Sequence, residues 1–162
     1  MRDRRFVAAH RGGPLDRASH VFLARWAADC AERVLPLFKQ HSDDTRPQHA
    51  IEIARAWANG AVSTGTAMKA SVAAHAAARQ MNDKAAVAAA RAAGHAVATG
   101  HFADHSMGAL LYAVKALKAS GETPEAELEL QLRKLPAHLL EPVSSGIGAR
   151  VHRIRIRGSA AG

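Results

Sequence analysis

The sequence predicts an all-α fold, a bundle or short solenoid-like array of about six antiparallel helices joined by short loops. Three observations lead there. Apolar residues recur at helical spacing from about residue 16 to residue 140, and cap and breaker residues stand at each proposed helix end. Hydrophobic residues make up 48% of the chain but aromatics only 4%, so most of the apolar content is alanine, the strongest helix former. Small side chains also let helices approach at the short end of the usual ~8–10 Å spacing. A loose internal similarity agrees: with Arg55 placed on Arg91, Ile51 falls on Val87, Ser63 on Thr99 and Arg79 on Lys115. That offset is about one helical hairpin long.

The elements follow in order. Residues 1–15 form an N-terminal arm, 16–142 a single helical domain and 143–162 a basic C-terminal tail. Helix 1 spans about 16–38, with Val21, Phe22, Trp26, Cys30, Val34 and Leu37 on its apolar side, and Pro36 is expected to kink or end it. Pro47 suits the first turn of helix 2, with Asp44 and Thr45 available as caps, and Gly60 stops that helix. Ser63 or Thr64 caps helix 3 at about 66–81, and Asn82-Asp83 caps helix 4, which runs to about 100. Helix 5 covers about 105–119 and ends at Gly121, and Thr123-Pro124 opens helix 6. Pro136 interrupts that helix, and a short turn through Leu139-Leu140 follows. Beyond Pro142, arginine and isoleucine alternate over 153–157 without a helical period; the expectation is a disordered or partner-ordered tail.

A net charge of +8 invites a nucleic-acid reading, but the excess lies in the ends. Residues 1–17 carry +3, residues 143–162 carry +4, and the body between them carries +1. Basic ends bind polyanions weakly and without specificity, so no specific nucleic-acid partner is expected. The lone Cys30 lies on the apolar stripe of helix 1, which suggests an inert core thiol and a reducing compartment. The first residues show no apolar h-region, and no run reaches the ~18 apolar residues of a membrane span. The expectation is a soluble, cytoplasmic protein that does not engage a membrane.

Three constellations carry chemistry. His95, His101, Asp104 and His105 lie about the turn between helices 4 and 5. In an unbroken helix, His101 and His105 stand one turn apart with Asp104 beside them, a set usable for a metal. If the chain turns at 101–104 instead, Asp104 is the cap of helix 5. Second, His75 and Arg79 sit on a helix without an acidic residue, so a partly buried His75 must find its hydrogen-bond partner on another helix or on backbone. Third, Arg46, Arg55 and Trp57 cluster in sequence near the start of helix 2 with Asp44 and Glu52. Arg and Trp are favoured interface anchors, and the alternative is a cap and a core tryptophan. Gly94 and Gly108 are expected to lie close together where helices 4 and 5 cross. No nucleophile elbow, phosphate-cradling loop or paired-carboxylate site is recognisable, and nothing calls for a cofactor.

The motifs AHRGG (9–13), WAxxCAExVL (26–35), DxRP (44–47), AAHAAAR (73–79) and GHAVATGH (94–101), taken in this order and spacing, resemble the immunity-protein family of bacterial polymorphic toxin systems. The resemblance spans about residues 6–142 and leaves the basic tail uncovered. It implies a compact all-α domain that neutralises a cognate protein toxin by binding it, without a reaction of its own. It carries no settled catalytic residues. The competing expectation from the residues alone is a small metal- or histidine-dependent enzyme centred on the helix 4–5 turn.

Overall fold

The computed structural model describes the backbone of residues 1–159 and the side chains of residues 1–151. Among the described residues, seven α-helices follow an arm of two short 3-10 turns, Arg4–Phe6 and Ala9–Arg11. They are α1 (Arg17–Lys39), α2 (Arg46–Ala58), α3 (Thr64–Arg79), α4 (Lys84–Ala98), α5 (His105–Ala119), α6 (Glu125–Arg133) and α7 (Ala137–Ser159). Among the described residues, the β structure is one isolated bridge between Ala8 and Leu15.

Local chemistry explains the ends. Asp16, Ser63 and Asp83 accept the backbone N–H groups of Ser19, Thr66 and Ala86, so α1, α3 and α4 begin at side-chain caps. Asp44 accepts the N–H of Arg46 at 3.0 Å where α2 starts. Gly60 and Gly121 take the left-handed conformation, φ 75° and 87°, just past α2 and α5. Pro36 does not end α1, which runs on to Lys39. The proline lies in the last turn, exposed, where one missing N–H can be borne.

The buried side chains form two clusters. The larger is built mostly of alanine from α1 to α5, together with Trp57, Phe38, Ile51 and Leu117. The α4 helix lies at its centre and packs on α1, α2, α3 and α5. With neighbours on so many sides, α4 is alanine almost all round, as a core helix should be. The second cluster is richer in large groups: Phe6 and Leu15 of the arm, Leu23, Trp26 and Cys30 of α1, Met107 and Leu110 of α5, and Leu135, Leu139, Val143 and Ile147. Trp26 donates its indole N–H to the carbonyl of Gln131 at 2.9 Å, fastening α6 to α1.

The main departure from expectation is α7. The sequence reading places a turn and a tail where one helix runs from Ala137 to Ser159. Val143 is fully buried and Ile147 nearly so. Gly146 lets this helix close on α5, since a Cβ there would lie 2.4 Å from the Met107 sulfur. The side chains of the arginine–isoleucine alternation, and residues 160–162 of the expected tail, lie outside the described residues. No helix among the described residues is long and apolar enough to cross a membrane.

Candidate functional site

Only one strip of α4 reaches solvent. Lys84 is exposed and Val87, Arg91 and His95 are half-buried, three or four residues apart and therefore on one helix face. The strip is flanked on one side by His75 of α3 and on the other by His105 and Tyr112 of α5. Helix spacing thus delivers three histidines from three helices to one place.

Their rings are in contact. His75 meets His95 edge-on with centroids 5.3 Å apart. His95 lies 5.4 Å from His105 and stacks on Tyr112 at 5.1 Å and 18°. The room for two of these rings comes from glycine. A Cβ on Gly94 would lie 2.6 Å from Nε2 of His75, and one on Gly108 would lie 2.5 Å from Nδ1 of His95. Gly94 and Gly108 are therefore not set against each other, as expected from the sequence; each seats an imidazole from the neighbouring helix. The residue register is such that His95, one place beyond Gly94, is the one that faces Gly108.

The polar contacts constrain where the ring protons lie. The Arg91 guanidinium donates to Nδ1 of His75 at 2.9 Å, so that nitrogen carries no proton. Nδ1 of His95 and Nδ1 of His105 are 3.3 Å apart, a contact that needs a proton on one nitrogen and a lone pair on the other. Burial, then the Arg91 and Arg79 charges, push His75 down to about 4. Burial, then His105 and His75, push His95 down to about 3. Burial lowers His105 as well, against the opposing pull of Asp104. At neutral pH the cluster is a patch of uncharged imidazoles that can both donate and accept hydrogen bonds.

Asp104 plays another part. Its side chain makes no cap bond to α5. Instead Arg2 reaches it at 2.7 Å and Arg150 at 3.4 Å, and Arg150 also donates to the Asp104 carbonyl at 3.1 Å. One carboxylate therefore ties the N-terminal arm and α7 to the α4–α5 turn. His101 makes no ring contact with His75, His95 or His105; it packs edge-on against Phe102 at 4.1 Å and lines the crevice under the arm beside Arg2, Arg11 and His20. The trio His101, Asp104 and His105 is thus not assembled around a common point. Among the described residues, no three His, Cys, Asp or Glu side chains are arranged to hold a metal ion.

Arg46, Arg55 and Trp57 also go separate ways. Arg46 pairs with Asp44 at 2.6 Å and donates to Gln80 at the end of α3. Arg55 bridges to Asp29 and Glu32 of α1, each at 2.8 Å. Trp57 is buried, bonded through its indole N–H to Thr64 and packed on His20, whose Nε2 lies 2.6 Å from the Thr99 carbonyl. Gly100 makes room for the Trp57 ring. Cys30 is buried and free, and burial pushes its thiol far above its ordinary range, in keeping with an inert core group.

Arg91 and Tyr112 were not among the candidates read from the sequence, although a signal existed. Tyr112 lies seven residues after His105, two turns on and on the same face, and Arg91 lies one turn before His95. The arrangement defines a helical domain with a preformed, half-buried polar face on α3, α4 and α5. The chain belongs to the Imm-5 like putative immunity protein family, whose profile matches residues 13–138, from the end of the arm into the first turn of α7. Comparison with curated proteins finds no match, and comparison with solved structures finds none either.

Proposed function

We propose that this protein is an immunity protein that neutralises a cognate bacterial toxin by binding it, with no reaction of its own. The observation that carries the reading is the family match over residues 13–138, which takes in α1 to α6 whole. The geometry is compatible with a binder. The crevice under the N-terminal arm, lined by Arg2, Phe6, Arg11, His20, His101 and Phe102, has about 30 Å³, room for water but not for a substrate. The hollow between His41 and Asp83 is larger, about 440 Å³, but open to solvent and lined mainly by polar groups.

The test is protection. Cells expressing the cognate toxin should survive when this chain is co-expressed, and the two proteins should elute together as a defined complex. Killing at an undiminished rate with this chain in excess would refute the proposal. Stoichiometric zinc, iron or manganese in the purified protein would favour a metal-dependent enzyme instead.

A further inference from the structure

We propose that the face formed by α3, α4 and α5 is the surface that grips the partner, and that the segment it takes is acidic, a carboxylate-rich stretch of the toxin. This rests on the immunity reading for the identity of the partner, but its chemistry stands on the face itself. The three helices carry Lys69, Arg79, Lys84, Arg91, Lys115 and Lys118 and no acidic residue. The two carboxylates at their ends are already engaged: Asp83 caps Ala86, and Asp104 holds Arg2 and Arg150. On the neighbouring helices several cations are matched within the molecule, Arg55 by Asp29 and Glu32, Arg46 by Asp44, Arg33 by Glu122 and Glu127. The three helices thus carry six cations with no carboxylate of their own, and a complementary surface must supply carboxylates or phosphates.

The rest of the face favours a protein. Its centre is three uncharged imidazoles, which donate and accept hydrogen bonds as carboxylates, amides and hydroxyls require. Met68 and Val72, 43% and 66% exposed, lie on the same α3 face as His75 and Arg79 and offer apolar contact. One face of Tyr112 is covered by His95 and the Lys115 ammonium lies 5.7 Å from its ring, so less of it is open to the base stacking by which unpaired nucleic acid is usually held. Apolar and hydrogen-bonding groups at the centre with cations around them make the pattern of a protein interface.

The experiment uses the full chain and two probes, a Glu-rich peptide of about 15 residues and an oligonucleotide of equal charge, followed by NMR of the histidine and tyrosine rings. The peptide should shift the signals of His75, His95, His105 and Tyr112. The double variant Val72→Glu/Lys115→Glu, both positions exposed, should weaken peptide binding at least ~10-fold. A control with the same charge change away from the face, Ala18→Glu/Arg25→Glu, should bind within about twofold. Circular dichroism and melting show that both variants fold. The proposal is overturned if the peptide leaves those rings unmoved, if the control weakens binding as much, or if the oligonucleotide binds the same rings more tightly. With the toxin, full protection by the Val72→Glu/Lys115→Glu variant overturns the face and leaves the immunity reading standing. Failure of the unaltered chain to protect removes the immunity reading, and the peptide arm still decides the face.

Discussion

His95 is enclosed by His75, His105, Tyr112 and Gly108, and adding a proton to it costs more than adding one to a histidine in water. The unfolded chain, with ordinary histidines near ~6.5, binds more protons than the fold at any pH between that value and the lowered folded ones. Stability from these groups is therefore complete above about pH 6.5 and is lost as the pH falls toward about 4 for His75 and about 3 for His95. One fully taken-up proton costs up to ~1.4 kcal/mol per pH unit, and less for the more exposed His75. Urea midpoints should fall between pH 7.5 and pH 5, and His95→Gln should flatten that slope; an unchanged slope would remove His95 as its source. Gly108 gives a second test with opposing terms. Inside a helix, glycine to alanine normally stabilises by ~1 kcal/mol, but here the new Cβ would meet the His95 ring at 2.5 Å. Because that ring is held against Tyr112, the clash should win, and Gly108→Ala should destabilise by ~1–3 kcal/mol. In a His95→Ala background the same change should become stabilising. A stabilising effect in both backgrounds would mean that the ring moves aside freely.

At the scale of elements, Asp104 joins parts that are remote in sequence. Arg2 comes from 102 residues away and Arg150 from 46. The Asp104 side chain is 14% exposed while both arginines are more open, so its removal should cost about 1–2 kcal/mol. The loss should also be local. In Asp104→Ala, hydrogen exchange should quicken at the arm and in the C-terminal half of α7 while α1 to α4 stay protected; uniform quickening would deny Asp104 this clasp role. The same residue shows what could be read in advance. The caps Ser63 and Asp83 and the stops Gly60 and Gly121 act over one turn of chain, so short-range rules located those helix ends. A clasp between the two ends of the molecule leaves no such local trace, and Asp104 reads instead as a cap. For the same reason, grouping His95 with His105 was legible through the α4–α5 hairpin, whereas the seating of His101 in the crevice under the N-terminal arm was not. The proposed hairpin repeat has a similar limit: it sets Ser63, a cap at the start of α3, against Thr99, which ends α4.

For the whole molecule, the division of the core matters most. The alanine cluster brings α1 to α5 close together, but each alanine buries little surface, so bulky groups must supply much of the stability per residue. Many of those groups lie in the second cluster, and α7 provides Leu139, Val143 and Ile147 to it, alongside Phe6, Met107 and Leu110. Sequence periodicity missed this helix because Pro142 and two glycines, Gly146 and Gly148, lower its local helix propensity. Packing against α5 compensates, with Gly146 giving the close approach to Met107. The family profile ends at residue 138, just as α7 begins, so the matched segment alone lacks these anchors. Burying each of the three side chains contributes ~1.5–3 kcal/mol before the cost of ordering the helix, and their loss also exposes the partners on α5 and the arm. Truncation after residue 136 should therefore lower stability by at least ~3 kcal/mol, a large share of what a domain of this size usually has. It should also produce binding of a hydrophobic dye at neutral pH. The comparison is of urea midpoints and dye fluorescence for residues 1–136 against the full chain. Equal midpoints with no dye signal would mean that α1 to α6 close their own core and that α7 only lies against it.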